Sequence, residues 1–175
     1  MVKLNVLRKI VLSLIAAWFG IIAFNDFIVV PAVFTSLSNR VEAANLGMGL
    51  FSKLGSFEVV VASTLFFCAG LVFKKFRTRR SAFLFLLGSS LLAFALMGKF
   101  YLTPKITKLN QEKFSVREDS AQYEKANERH QFYHGLYVKL DGTKMLLLFL
   151  GIFGSFRASR FDDEKIVLLP LRRMK

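Results

Sequence analysis

The sequence predicts an all-α membrane protein. We expect an integral four-helix bundle with both termini in the cytoplasm and a helical extension outside it, between the third and fourth spans. Of the 175 residues 54% are hydrophobic and only 21% are charged, so the charges must be segregated rather than spread over a soluble surface. The apolar residues form long runs without the in-out alternation of barrel strands, which favours helices. The whole chain, residues 1–175, is expected to be one membrane domain.

Four segments are predicted to cross the bilayer, each near the roughly 20 residues that this requires. They are residues 10–37, 54–73, 81–104 and 137–156. The first is expected to be a retained helix and not a cleaved signal peptide, because no small-residue cleavage pattern interrupts it. The fourth is the weakest, since only Met145–Phe156 is uncharged and covers about 18 Å as a helix.

The outer connection, residues 105–136, is the largest piece predicted outside the membrane. Its first part, Lys105–Arg117, is expected to be a short helix or loop near the outer surface. From Ser120 onward, apolar and aromatic residues recur every three or four positions, which predicts a helix running into the fourth span. Asp119 or Ser120 can cap its start.

Basic residues set the predicted orientation. Three Lys or Arg precede the first span, five lie between residues 74 and 80, and six follow Phe156. Positive residues favour the cytoplasmic side, so both termini are predicted there, and a bacterial cytoplasmic membrane is the expected location. This basic face would attract anionic lipid headgroups, which explains the net charge of +13 without nucleic acid as a partner.

Ionisable residues at membrane depth are costly and are the best candidates for function. With the predicted orientation, the acids Asp26, Glu58 and Asp141 lie at the level of Lys99 and Lys144, and we expect them to face each other. The alternative is that they lie at the interface or pair locally. The full predicted polar cluster is Asn25, Asp26, Glu58, Lys99, His134, Tyr137, Asp141 and Lys144.

Two histidines offer the other candidate site. His130 and His134 are four residues apart on one helix face, a spacing that can hold a divalent metal if Glu128, Glu58 or Asp26 adds a carboxylate. The chain has no HExxH pattern, and a polar surface helix is the plainer interpretation, so no cofactor is predicted.

Short motifs give the chain a resemblance to a known family. They are Pro31-Ala32-Val33-Phe34 with Leu37, then Pro104-Lys105-Ile106, then His134 entering the fourth span. In this order, over about residues 10–156, they resemble the transmembrane protein 205-like family, which implies a four-helix membrane domain without an established reaction. Asp141 stands where that family carries an asparagine seven residues after the histidine. Pro31 and Pro104 are each expected to kink or end a helix.

Three functions follow as hypotheses. The first is a non-enzymatic membrane protein that acts by association, in a homo-oligomer or a larger complex, as an accessory envelope component. The second is a small ion or solute transporter or binding protein that uses the polar cluster. The third is a metal or redox membrane enzyme built on the histidines.

Overall fold

Every element in the computed structural model is a helix among the residues it describes, which are 2–168 for the backbone and 9–154 for the side chains. The predicted all-α class is therefore confirmed. The helices are α1 (Val2–Phe24), α2 (Val30–Ser36), α3 (Arg40–Phe76), α4 (Arg79–Met97), α5 (Thr103–Phe114) and α6 (Ala121–Leu168). The side chains of Lys3 and Arg8 and the basic tail after Phe156, on which the predicted orientation partly rests, lie outside the described side chains.

Three helical stretches in the described part of the chain are long and apolar enough to cross a membrane. They are Lys9–Ser36, Arg40–Phe76 and Arg79–Phe114. These stretches indicate an integral membrane protein. Helix α6 is not among them, so the fourth span at residues 137–156 stays a prediction.

The first and third stretches each contain one widened helical turn just before a proline. These π-helical turns are Asn25–Val29, ahead of Pro31, and Gly98–Leu102, ahead of Pro104. Proline has no N–H, and its ring clashes with the carbonyl four residues earlier in a regular helix, so a wider turn relieves both problems. The prolines therefore do not end the helices, which continue as α2 and α5.

Helix α3 is much longer than the second predicted span. It begins at Arg40, so most of residues 38–53, predicted as a connection, is helical. The Asn39 side chain caps its start by accepting a hydrogen bond from the Val41 backbone N–H at 2.9 Å. The cap and the continuing helix leave only residues 37–39 between α2 and α3.

The turn between α3 and α4 is equally short. Arg77 ends α3 in the left-handed conformation, with φ of 45°. Thr78 and Ser81 then form a reciprocal capping box: Thr78 Oγ1 accepts from the Ser81 backbone N–H at 3.2 Å, and Ser81 Oγ accepts from the Thr78 N–H at 2.9 Å. This turn makes α3 and α4 antiparallel neighbours.

Helix α6 starts where the sequence predicts. Ser120 Oγ accepts a hydrogen bond from the Tyr123 backbone N–H at 3.1 Å, which confirms one of the two predicted caps. Of residues 105–117, predicted as a short helix or loop, the structure makes residues 105–114 helical. They belong to α5, which continues the third stretch and packs along α6.

The four long helices pack in a ring around the larger of two clusters of buried apolar side chains. Helix α1 packs against α3 and α6, and α4 packs against the same two helices, so α3 and α6 lie diagonally across the centre. Each helix contributes buried residues at three- and four-residue spacing, as an apolar stripe requires. The largest of them are Ile15, Trp18, Ile22, Leu91 and Leu148.

Candidate functional site

A buried ion pair crosses the centre of the helices. Lys144 on α6 donates to both carboxylate oxygens of Glu58 on α3, at 2.6 and 2.7 Å. Lys144 also lies 2.5 Å from a carboxylate oxygen of Asp141, one turn earlier on α6. The side chains of Lys144 and Glu58 are only 1% and 3% exposed, so water does not screen this pair. An ion pair thus links the diagonal helices α3 and α6.

Asp26 extends this group towards α1. It is half-buried beside Asp141, and the Asn25 side-chain amide donates to it at 2.9 Å. Asn25 and Asp26 both belong to the first π-helical turn, a backbone irregularity that is frequent at functional sites. We call Asp26, Glu58, Asp141 and Lys144 the buried charge cluster. It brings together residues from α3, α6 and the segment between α1 and α2.

Lys99 does not join the buried charge cluster, contrary to the sequence prediction. Its ammonium donates to the Ser52 backbone carbonyl at 2.8 Å and to Ser52 Oγ at 3.1 Å. Ser52 lies six residues before Glu58, about 9 Å along α3, so Lys99 is satisfied at another level. Gly55 makes room for this, because a Cβ there would approach Lys99 Cδ to 3.3 Å. The sequence therefore predicted neither the level at which Lys99 is bonded nor the face on which the π-helical turn presents it.

Trp18 is a partner that the sequence analysis missed. Its indole Nε1–H donates to Glu58 Oε1 at 3.2 Å, and the side chain is fully buried. The signal was present in the sequence, since Trp18, Ile22 and Asn25 share one helix face at spacings of four and three. A buried tryptophan needs an acceptor for its N–H. Glu58 supplies one.

The two histidines lie together, but without a third ligand. The rings of His130 and His134 are nearly parallel, with centroids 5.8 Å apart. Within residues 9–154 no third His, Cys, Asp or Glu joins them in a group that could hold a metal, so the carboxylates considered for that role are not brought to the pair. Burial, followed by the charge of Lys113, lowers the pKa of His130 to about 4. Burial also lowers the pKa of His134.

Both histidines line a cavity of about 490 Å³ between α2, the start of α3, α5 and the first part of α6. We call it the α5–α6 cavity. Tyr137 lines it as well and packs edge-on against Phe51, with ring centroids 5.5 Å apart. Asp141 follows Tyr137 by one helical turn. Tyr137 therefore stands between the cavity and the buried charge cluster.

Apolar helices of membrane length around a buried ion pair define an integral membrane helical protein. A family model described as a domain of unknown function, DUF4149, matches residues 13–115. That is more than half of the chain, and the chain belongs to this family. Comparison with curated proteins and with solved structures gives no significant match. The matched region contains Asp26 and Glu58 but ends before α6, which carries Asp141 and Lys144.

Proposed function

We propose that this protein acts by association, as an accessory component of the cell envelope, and not by catalysing a reaction. The enclosure of Lys144 by Glu58 and Asp141 supports this proposal most directly. A carrier needs its intramembrane charges available to an ion or a solute in at least one state. Here the one buried lysine of the cluster is engaged on both sides and ties two diagonal helices together. Its role in this proposal is to fix the bundle.

The proposal includes an orientation and a set of partners. The basic segment Lys74–Arg80 would face the cytoplasm with both termini and contact anionic lipid headgroups, and α6 would form the fourth span. A bacterial cytoplasmic membrane is the proposed location, and a relationship to the transmembrane protein 205-like family, which the motifs of the chain resemble, is part of the same proposal. Partners would be further copies of the chain or other membrane proteins, and nucleic acid is not among them.

The experiment that tests association measures particle mass and flux on the full chain. After extraction from native membranes in a mild detergent, we expect light scattering to give a protein mass well above that of the 19.9 kDa monomer. Reconstituted into vesicles, the protein should show no saturable ion or solute flux. A monomer in mild detergent would contradict the proposal. So would a flux that Glu58→Gln abolishes while the surface variant Glu112→Gln preserves it.

The orientation is tested separately by cysteine labelling. Arg77→Cys and Glu124→Cys are placed one at a time in a chain whose native Cys68 is changed to serine. A membrane-impermeant maleimide added to intact cells should label position 124 and should label position 77 only after the membrane is opened. Labelling of both positions from the same side would refute the proposed topology.

A further inference from the structure

The α5–α6 cavity lies apart from the buried charge cluster, and its size suits a small molecule. Its volume of about 490 Å³ falls within the range of roughly 300–1,000 Å³ that is typical of ligand sites. Four helical segments line it at the end of the helices where α2 meets α3 and α5 meets α6. Nothing in the proposed association requires a cavity there.

One part of the cavity lining is apolar. It consists of side chains from α2, α3 and α5, namely Phe34, Val41, Met48, Phe51, Ile106 and Phe114. Aromatic and aliphatic walls of this kind take up hydrocarbon, because burying apolar surface is favourable by about 25 cal/mol per Å². These side chains belong to stretches that are apolar enough to cross a membrane. The surface therefore suits the hydrocarbon chain of a ligand.

The charged part of the lining is positive. Arg40 and Lys113 line the cavity against the single acid Glu118. His130 and His134 add hydrogen-bonding groups and no charge near neutral pH, because their pKa values are lowered. Lys113 Nζ makes a long contact of 3.5 Å to Asn127 Oδ1 and lies 4.9 Å from the centroid of the Phe114 ring, so no carboxylate neutralises it in these two contacts. A guanidinium and an ammonium in the lining favour an anionic group, above all a carboxylate or phosphate, to which arginine can donate two parallel hydrogen bonds.

Asn110 provides an independent indication of a ligand. Its side chain lines the cavity, yet the residue is only 3% exposed. Within the described side chains its one polar contact is a weak one, from Nδ2 to Met48 Sδ at 3.5 Å. A buried amide left without good hydrogen bonds costs about 1–3 kcal/mol, so such groups are normally satisfied. A polar ligand atom in the cavity would give the Asn110 amide a stronger hydrogen bond than the one to Met48 Sδ.

We propose that the α5–α6 cavity binds an amphiphile that has one anionic headgroup and a hydrocarbon chain. The headgroup contacts Arg40 and Lys113, Asn110 hydrogen-bonds the polar end, and the chain lies along the aromatic wall that includes Phe34 and Phe51. This binding goes beyond the proposed association and does not depend on it. The ligand class is set by the positive charge, the apolar lining and the weakly bonded amide taken together.

The test uses the full-length protein in phosphatidylcholine nanodiscs and a long-chain fatty acid with a photoactivatable diazirine in its chain. We expect saturable labelling of peptides from α5 and from the first part of α6. The matched alcohol has the same chain without the charge. Its affinity should be lower by about tenfold or more, as loss of a charge-assisted contact predicts. Equal labelling by acid and alcohol, or labelling that does not saturate, would overturn the proposal.

Variants connect the labelling to the cavity. The double change Arg40→Gln and Lys113→Gln should weaken acid labelling about tenfold or more. Lys108→Gln should leave acid labelling unchanged. Lys108 is on α5 with Lys113, but its side chain is 75% exposed and does not line the cavity. Ala44→Phe, which narrows the cavity without changing charge, should weaken acid and alcohol alike. Thermal unfolding of each variant establishes that it is folded, and labelling that survives both cavity changes in folded protein would refute the site.

Inorganic phosphate distinguishes a lipid-like ligand from a free anion. Added at millimolar concentration, it should compete weakly with the fatty acid, since it makes no contact with the apolar wall. If phosphate instead displaces the acid completely while the alcohol fails to bind at any concentration, the cavity holds a small free anion. The amphiphile proposal is then wrong, although the association proposal is untouched.

Discussion

Removing Lys144 should destabilise the protein more than any other single change of a charged residue. Lys144→Met keeps the length of the side chain but leaves Glu58 and Asp141 without their cation. Of the contacts to the Glu58 carboxylate described above, only the one from Trp18 would remain, at 3.2 Å. Two hydrogen bonds to a charged group contribute about 1.5–3 kcal/mol each, and breaking a buried pair costs about 3–5 kcal/mol. We expect a loss of that size in the free energy of unfolding.

The matched control is Lys139→Met, on the same helix and exposed. It should change the free energy of unfolding by less than about 0.5 kcal/mol, as a surface charge does. The double variant Glu58→Gln with Lys144→Met should recover at least half of the loss, because one of the orphaned carboxylates is then neutral.

The assay is unfolding of the detergent-solubilised full chain by sodium dodecyl sulfate, followed by circular dichroism. If Lys144→Met falls within about 1 kcal/mol of Lys139→Met, then water or lipid headgroups reach the cluster, and the closed ion pair is not a major source of stability. The proposal that Lys144 fixes the bundle would then be wrong.

Three further changes test other parts of the fold. Gly88→Ala should lower the free energy of unfolding by about 1–3 kcal/mol, because the added Cβ would come within 3.3 Å of the Phe66 backbone. Gly20→Ala meets nothing within 4 Å and should be neutral or mildly stabilising. Equal denaturation midpoints for the two variants would contradict this. Arg77→Gly should raise the melting temperature by relieving about 1 kcal/mol of left-handed strain, and no rise would contradict that account. The pKa of His130 is lowered to about 4 in the folded protein, so the unfolded state binds more protons between pH 6.5 and 4. The free energy of unfolding should therefore fall as the pH drops through that window. Because solvent partly screens the side chain, we expect a fall of about 1 kcal/mol. His130→Phe should lose this pH dependence, and an imidazole NMR titration near pH 6.5 would refute it.

Helix class and helix content were readable from the sequence because uncharged runs and turn chemistry are local signals. Ser120 as the start of α6 is an example, since a capping serine and the periodic residues after it lie within a few positions. Helix ends near the membrane surface were not readable. Residues 40–53 carry charges and polar groups that end a hydrophobic run, yet they continue α3, because a helix can extend beyond the apolar layer that its middle crosses.

The common depth of four site residues was predictable, but the helix faces on which they lie were not, and Lys99 differs from the prediction in both respects. Counting residues from the ends of each run placed Asp26, Glu58, Asp141 and Lys144 at a common level. Which of them meet depends on helix faces, and a single widened turn shifts every later residue to another face. Lys99 lies in such a turn and contacts Ser52 instead of an acid. The α5–α6 cavity is formed by distant segments and leaves no periodic trace in the sequence.

The ion pair between Glu58 and Lys144 also bears on biosynthesis, because the two residues are 86 positions apart. A ribosome that makes this chain releases the helix carrying Glu58 long before it has synthesised the lysine that neutralises it. Glu58 therefore lacks this ion-pair partner until α6 has been synthesised and has docked. The link between α3 and α6 thus forms at a late step of assembly, and a chain that stalls before this step would retain an uncompensated acid within its helices.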